Sequence, residues 1–386
     1  MALSGPKALP NNMVRAAVAL SNRVFRSDQS SPMGDEFPLL LHKDNADHLR
    51  VFTDGRKVVS LVGMFVRDAY LLDTRHLTCC IGAVCTDAAY RAKGLATELM
   101  EDARRKALAD GVDIFLISGG RGLYRRLGYV DVGTYYVASV RHSKLPTRGS
   151  YCIRPWEPED LPALVRIRSA EPVRFARTVE DFAGFLKTGK IACVPGETAV
   201  VCAEGSDQPV AYVSYQLGGA AWESKDKNAV TVAEMAGPRC AIMRALGSAL
   251  EERGLDSAEV HYLGSDAEFA ELARSFGWPS RPRGFRGTVG VIDPARFWEA
   301  CAPLFAERIG PARAAQLSLT AGDRLKIDYK GEQVTLDGMT AFTNLAFLPP
   351  HRRTELELGL PVRSPLRRLL DEVFPLPLVD YGLNYV

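Results

Sequence analysis

The fold of this chain is decided by one stretch, which reads LTCCIGAVCTDAAYRAKGLATELMEDARRKALADGVDIFLISGGRGLYRRLGY from Leu77 to Tyr129. After a first strand-like run, apolar residues recur at four-residue intervals and predict a helix with one buried side: Leu95, Leu99, Ala103 and Ala107. A second apolar run, 112–117, has the length of a strand and ends at 118–120, a serine and two glycines. The stretch therefore predicts the order strand, basic glycine turn, helix, strand, glycine turn and short helix.

The turn between the first strand and the helix carries the candidate chemistry. Arg91 and Lys93 place two cations beside Gly94, where a helix is about to begin. Free backbone N–H groups, the positive end of the helix and the two side-chain charges converge there, and such a point binds phosphate. The pattern alone is common by chance, and its place between an apolar strand and an amphipathic helix makes it informative.

Three short patterns in this stretch resemble the acyl-CoA motifs of the GNAT superfamily of N-acetyltransferases. They are Val84-x-Thr86, Arg91-x-x-Gly94-x-Ala96 and Tyr124-x-x-x-Gly128-Tyr129. The resemblance implies a splayed first strand whose backbone pairs with pantetheine, a glycine turn that holds the pyrophosphate, and Tyr124 as the acid that protonates the thiolate of CoA. It implies that the following residues bind acetyl-CoA: Val84, Cys85, Thr86, Arg91, Ala92, Lys93, Gly94, Leu95, Ala96, Thr97, Gly119 and Gly120.

Composition sets limits on the function. The net charge of +2 gives no electrostatic support for a nucleic-acid partner. No apolar run reaches the roughly twenty residues that span a bilayer, and the N-terminus lacks a signal-peptide pattern. The eight cysteines include no C-x-x-C pair, and the six histidines show no H-x-x-x-H pattern. We therefore expect a cytoplasmic protein with reduced thiols and no metal.

The chain of 386 residues is long enough for two or three domains, and we predict three, at 1–145, 146–284 and 285–386. A β-rich run over 130–140 is expected to close the first sheet, and a polar linker follows at 142–150. The second part repeats the strand and helix order of the first, but its turn reads AGPRC at 236–240, where Pro238 removes a donor. We interpret it as a degenerate copy without a cofactor site; an unrelated α/β domain is the alternative.

The third part is an α+β module with a helix opened by Asp293, short strands near 317–319, 325–329 and 333–336, and a helix near 365–374. Its apolar, aromatic end is expected to be docked. The whole α/β (α+β) layout resembles the enhanced-intracellular-survival (Eis-like) acetyltransferases, with an N-terminal GNAT fold, a degenerate GNAT-like domain and a C-terminal sterol-carrier-protein-like domain. That resemblance implies a homo-oligomer whose terminal carboxylate, here Val386, is the base, although an aromatic terminus is known in that family.

Physical chemistry sets what the site has to do. An amine is mostly protonated at neutral pH, so a base must take its proton, and an α-carboxylate with a pKa of roughly 3.5 is weak unless burial raises that pKa. A backbone N–H near Val84 to Thr86 is the expected donor to the oxyanion.

Each role has a plainer alternative: Tyr124 as a core residue, Val386 as a packed end, and Cys85 as a buried strand cysteine instead of a nucleophile. Acids after the first helix, Asp28, Asp35 and Glu36, either attract a cationic acceptor or only aid solubility.

The sequence therefore predicts an acetyl-CoA-dependent N-acetyltransferase that acts on the primary amine of a small molecule, polyamine- or aminoglycoside-like, by direct attack on the thioester. A protein or peptide N-acetyltransferase is one alternative. A non-catalytic protein that binds acyl-CoA or lipid, as a carrier or a sensor, is another.

Overall fold

A computed structural model describes residues 3–26, 31–145, 151–217 and 228–386. The chain forms two compact units. The first unit comprises 1–133, 284–379 and 386, and the second comprises 134–283 and 380–385. The predicted division into three domains stays a prediction; these two units group most of its third part with its first.

The secondary structure is given in chain order. Up to Gly133 the elements are β1 (Leu3–Ala8), α1 (Val14–Phe25), α2 (Met33–Glu36), β2 (Leu49–Asp54), β3 (Lys57–Leu71), β4 (Thr74–Thr86), α3 (Leu95–Asp110), β5 (Ile114–Ile117) and α4 (Gly122–Arg126). Up to Gly284 they are β6 (Thr134–Arg141), β7 (Tyr151–Pro155), α5 (Leu161–Ser169), β8 (Val173–Phe175), α6 (Val179–Leu186), β9 (Lys190–Ile191), β10 (Val194–Ala203), β11 (Pro209–Gln216), β12 (Ala229–Ala236), α7 (Arg239–Arg253), β13 (Ser257–Leu263), α8 (Ala267–Ser275) and β14 (Ser280–Gly284). The remainder holds β15 (Thr288–Val291), α9 (Pro294–Ile309), α10 (Pro311–Ala314), β16 (Ser318–Ala321), β17 (Leu325–Tyr329), β18 (Glu332–Leu336), α11 (Gly338–Phe347) and α12 (Pro365–Val373).

The main sheet of the first unit has the strand order β1-β2-β3-β4-β5-β15. Neighbouring strands run antiparallel except β4 and β5, which are parallel and are joined by α3. The helix predicted from the four-residue spacing is confirmed as α3, because Leu95, Leu99, Ala103 and Ala107 are all buried in it. Both α1 and α3 pack on β3, which explains why this long strand is almost continuously apolar.

The prediction that 130–140 closes the first sheet is wrong. Thr134–Arg141 forms β6, which pairs antiparallel with β13 in the sheet of the second unit. The edge of the first sheet beside β5 is occupied by β15, which begins at Thr288, far beyond β5 in the chain, and pairs with Ile114–Ile117. A β-rich run indicates a strand but does not indicate its partner, because pairing depends on contacts distant in sequence.

The sheet of the second unit has the order β14-β6-β13-β12-β11-β10-β7. It repeats the local topology of the first sheet: an antiparallel series leads to the parallel pair β12 and β13, which α7 joins. A separate three-stranded sheet, β16-β17-β18, lies in the first unit. Its strands, together with α9 and α12, confirm the elements predicted for the last part of the chain. The predicted linker lies partly outside the described residues, at 146–150.

The C-terminal segment is docked, as predicted. Tyr381, Asn384 and Val386 are all buried. Residues 380–385 belong to the second unit and Val386 belongs to the first.

Candidate active site

The two parallel strands at the centre of the first sheet part at a defined point. Pairing of β4 with β5 runs from Thr78 opposite Ile114 to Ile81 opposite Ile117. The N–H of Ser118 still donates to Ile81 O at 3.3 Å, and β4 then continues to Thr86 without β5. Val84, Cys85 and Thr86 of β4 therefore do not pair with β5. This separation agrees with the predicted splayed strand.

A β-bulge bends β4 at this point. Leu61 of β3 lies opposite Cys85 whereas Gly63 lies opposite Gly82, so two residues of β4 face one residue of β3. Ala83, inside the bulge, has a positive φ of 50°. Bulges re-aim the groups of a strand and are common next to active sites. Here the bulge lies directly before the strand segment whose backbone N–H groups are the expected oxyanion donors.

The basic glycine turn is preformed at the start of α3. Gly94 has a φ of 78°, and its carbonyl accepts from the N–H groups of Thr97 and Glu98 at 2.9 and 3.1 Å. Five backbone N–H groups, in the turn and in the first two residues of α3, have no carbonyl acceptor within the described part of the chain. They belong to Ala92, Lys93, Gly94, Leu95 and Ala96. These free donors at the positive end of a helix form a site that suits a phosphate.

One contact links this turn to the neighbouring strand, and a second lies between the turn and the residue just before it. Arg91 Nε donates to the carbonyl of Thr86 at 3.2 Å, at the end of β4. The ammonium of Lys93 lies 4.9 Å from the centre of the Tyr90 ring. The structure thus brings together the predicted strand residues 84–86 and turn residues 91–97.

Val386 packs against β4, next to Gly82. Ser118 Oγ donates to Val386 O at 2.6 Å, and Val386 is only 6% exposed. A Cβ on Gly82 would come within 2.5 Å of the Val386 carbonyl carbon, so a side chain at position 82 is incompatible with this placement. Val386 therefore lies at the point where β4 and β5 part.

Tyr124 lies next to this point, on the short helix α4. Tyr124 is 2% exposed. Gly119, one residue after Ser118, lies beside it: a Cβ on Gly119 would be 3.7 Å from the Tyr124 ring. Burial raises the pKa of the Tyr124 phenol, although the nearby charge of Arg121 acts in the opposite direction. The phenol is therefore held in its protonated form, which is the form that donates a proton.

Sequence reasoning missed three residues of this site: Gly82, Ser118 and Arg121. Besides its effect on Tyr124, Arg121 donates from Nη1 to the carbonyl of Val84 at 3.3 Å. Ser118 is the residue at which the second strand was predicted to end, and a hydroxyl at the end of a central strand was the available signal. The two predicted glycines differ: Gly119 lies beside Tyr124, whereas the Cβ position of Gly120 faces the side chain of Arg125.

Two other candidates receive a plain structural explanation. Burial raises the pKa of the Cys85 thiol to about 12, so it is not a thiolate near neutral pH. Glu36 accepts two hydrogen bonds from Arg26, at 2.7 and 2.5 Å, and its charge is thereby neutralised. Asp35 lies beside it in α2, and Asp28 lies outside the described residues.

Over the described ranges, no three His, Cys, Asp or Glu side chains are grouped to hold a metal ion.

The corresponding turn of the second unit is occupied by carboxylates of the protein. Glu171 accepts from the N–H of Gly237 at 2.9 Å, and Glu268 accepts from the N–H of Arg239 at 2.8 Å. The Arg239 guanidinium is held by Glu171 and by Asp266. Because acidic side chains take the donors that a phosphate would use, we expect this turn not to bind a pyrophosphate.

Comparison with known proteins agrees with the geometry of the first unit. Residues 6–131 match the family model of the acetyltransferase (GNAT) domain. No curated protein matches the sequence. No helix in the parts of the chain described by the structure has the length and apolar character to cross a membrane.

Solved structures share the fold along the whole chain. A probable N-acyltransferase of Enterococcus faecalis V583 has a TM-score of 0.67 at 12% identity, with 98% of this chain and 99% of that chain covered. Eis1 of Mycobacterium abscessus has a TM-score of 0.64 at 14% identity, with 99% of each chain covered. A GCN5-related N-acetyltransferase of Kribbella flavida has a TM-score of 0.61 at 15% identity, with 100% of each chain covered. At these identities the likeness concerns the fold.

Within the first unit, residues 6–131 are therefore similar to the GNAT acetyltransferase domain in sequence, and the solved structures agree in fold. The matched range includes β4, the basic glycine turn and α3.

Proposed function

We propose that this chain is an acetyl-CoA-dependent N-acetyltransferase that acetylates the primary amine of a small molecule, polyamine- or aminoglycoside-like. The observation that carries the proposal is the placement of Val386 on Gly82, with a hydrogen bond from Ser118, where β4 and β5 separate. This placement puts a candidate base at the end of the unpaired strand edge that is suited to the thioester. The GNAT domain match over residues 6–131 supports acyl transfer from CoA.

The proposed binding step uses the first strand and the turn. Residues 91–97 hold the pyrophosphate through the free N–H groups of 92–96 and the charges of Arg91 and Lys93. Backbone groups of Val84, Cys85 and Thr86 align the pantetheine arm and place the thioester beside the bulge. Gly119 leaves space at the Tyr124 ring, while Gly120 belongs to the same loop.

The proposed chemical step is direct transfer. The terminal carboxylate of Val386 accepts the proton of the attacking ammonium, and the amine nitrogen bonds to the thioester carbon. A backbone N–H in the segment 84–86 donates to the oxyanion, and its fixed position stabilises the transition state. The oxyanion then re-forms the carbonyl as the C–S bond breaks, and Tyr124, which is protonated, gives its proton to the leaving thiolate. The nitrogen loses its second proton, which returns to the Tyr124 phenolate, and the products are the neutral amide and CoA thiol.

The same proposal includes the finer features that the resemblance implies. These are an Eis-like arrangement, a degenerate second GNAT-like domain, a sterol-carrier-protein-like C-terminal domain within 285–386, homo-oligomeric assembly and a cytoplasmic location. The repeated strand and helix order of the second unit supports the degenerate copy. The three-stranded sheet β16-β17-β18 with α9 and α12 supports a separate C-terminal module.

The test is release of CoA thiol from acetyl-CoA against a panel of polyamines, aminoglycosides, amino acids and short peptides. We expect turnover with small di- and polyamines, and the acetylated amine is identified by mass spectrometry. Turnover with peptides alone would replace this proposal with a peptide N-acetyltransferase. No turnover with any amine, while acetyl-CoA still raises the melting temperature, would replace it with an acyl-CoA carrier or sensor.

A second test concerns the base. A chain extended by Gly-Ser after Val386 moves the carboxylate away from Ser118, and we expect kcat to fall while the affinity for acetyl-CoA is retained. Equal kcat for the extended and the original chain would assign a purely structural role to Val386.

A further inference from the structure

The second unit contains a cavity of about 510 Å³ beside the turn that carboxylates occupy. It lies between the C-terminal end of α5, the turn before α7 and the end of β13; Arg168, Glu171, Arg239 and His261 contribute to its lining. This volume is within the range of small-molecule sites in proteins. The acetyl transfer proposed above makes no use of this cavity.

The acids that line the cavity are already engaged. Both oxygens of Glu171 accept from Arg239 or from the N–H of Gly237. Both oxygens of Glu234 accept from the Arg177 guanidinium, and they also accept from the Tyr212 hydroxyl and the N–H of Leu383. The remaining three acids also accept hydrogen bonds, from other donors; they are Asp266, Glu268 and Asp380.

Arg168 also lines the cavity, and its guanidinium takes part in none of these hydrogen bonds. It is only 8% exposed, and its Nε is buried without a hydrogen-bond partner. Among residues 3–26, 31–145, 151–217 and 228–386, none accepts a hydrogen bond from its guanidinium, although Glu171 and Glu234 are close enough to feel its charge. A buried guanidinium without acceptors has a large desolvation cost, which a bound acceptor would offset.

We propose that this cavity binds a small monocarboxylate with an apolar body, whose carboxylate is held by the guanidinium of Arg168. A planar guanidinium and a carboxylate form two parallel hydrogen bonds, which a buried site favours. Apolar side chains form much of the remaining wall, among them Val173, Met235 and Tyr262. They match an aliphatic or aromatic body.

The charge of the lining selects against larger anions. Because Arg239 and Arg177 already pair with Glu171 and Glu234, Arg168 supplies one positive charge for a ligand, and the second and third negative charges of a phosphate ester or of CoA would face the remaining acids without a counter-charge. A single carboxylate needs only Arg168. The ligand class therefore differs from the phosphate-bearing substrate of the first unit.

Isothermal titration calorimetry on the full chain tests the proposal, with benzoate, 4-methylpentanoate and inorganic phosphate as probes. We expect saturable binding of at least one carboxylate and weaker or no binding of phosphate. Arg168→Met removes the guanidinium, and the affinity falls at least about tenfold, the size of a lost charged hydrogen bond. Arg166→Met is the matched control, since Arg166 is an exposed arginine on the same helix, and its affinity is unchanged.

Three results would overturn the assignment: no saturable binding of either carboxylate, tighter binding of phosphate, or equal carboxylate affinity in Arg168→Met. If Arg168→Met does not fold, Ser265→Trp replaces it. Ser265 is exposed at the rim of the cavity, so the indole obstructs entry without changing the core. Carboxylate binding is lost in that variant, and unchanged binding would place the ligand elsewhere. Because acetyl transfer is not measured, failure here leaves the proposed enzyme activity untouched.

Discussion

Gly82 and Val386 are distant in sequence, yet they lie so close together that a Cβ on Gly82 would be 2.5 Å from the Val386 carbonyl carbon. Gly82 is not among the glycines with a positive φ, so position 82 needs space and not a special backbone conformation. The absence of a side chain at position 82 is thus explained by the close approach of the Val386 backbone.

The first prediction concerns Gly82→Ala. The added methyl displaces Val386, so we expect kcat to fall and the unfolding free energy to drop by about 1–3 kcal/mol, as for other overpacked sites. Steady-state kinetics and urea denaturation measure the two effects. The control is the same substitution in a chain that lacks Val386, where the loss of stability should disappear; an equal loss in both chains would show that Gly82 is constrained by something else.

A second prediction concerns the hydroxyl of Ser118, which donates to Val386 O at 2.6 Å. Ser118→Ala removes this bond, and we expect about a tenfold loss in kcat, because a hydrogen bond to a charged group contributes about 1.5–3 kcal/mol. Ser118→Thr keeps the hydroxyl and should restore most of the activity. Equal rates for the alanine and threonine variants would mean that the hydroxyl has no part in placing the terminus.

The third prediction concerns Tyr124. Tyr124→Phe removes the proton donor, so we expect kcat to fall about a hundredfold, a typical contribution of general acid catalysis, with acetyl-CoA affinity unchanged. Since burial raises the pKa of this phenol, it stays protonated as the pH rises, and the kcat profile should show no alkaline decline from Tyr124 below pH about 10. A decline near pH 8 that is lost in the phenylalanine variant would contradict the assignment.

Local patterns were sufficient for much of the first unit. The spacing of Leu95, Leu99 and Ala103 predicts α3, and Gly94 before a helix predicts the turn, because both features depend on neighbours in sequence. The bond from Ser118 to Val386 spans 268 residues, and no local pattern predicts such a contact. The position of Val386 in the site came from the family resemblance, and its partners required the structure.

The fourth prediction concerns the thiols. Burial raises the pKa of Cys80 and of Cys85 to about 12, so almost no thiolate forms at pH 8, whereas Cys152 and Cys240 are exposed. Iodoacetamide should therefore label Cys152 and Cys240 first in the native protein, as measured by peptide mass spectrometry. Labelling in urea is the control, in which all cysteines should react. Native labelling of Cys85 as fast as Cys152 would reopen a covalent route through that thiol.

The last prediction concerns the acid stability of the second unit. Burial alone would raise the pKa of Glu234, but the charges of Arg177 and Arg168 and the hydrogen bonds of Arg177 and Tyr212 outweigh it and lower the pKa from 4.5 to about 2. The pKa is depressed in the folded state, so this stabilisation is present above pH 4.5 and is lost as the pH falls towards about 2. In Glu234→Gln, we expect about 3–5 kcal/mol less stability at pH 7, because the buried Arg177 loses the carboxylate to which it is hydrogen-bonded. We also expect a smaller loss of stability between pH 4.5 and 3 than in the original chain. Urea denaturation across this pH range measures both effects, with Glu252→Gln as the exposed control. The same pH dependence in Glu234→Gln and in the original chain would show that Glu234 does not stabilise this unit through its charge.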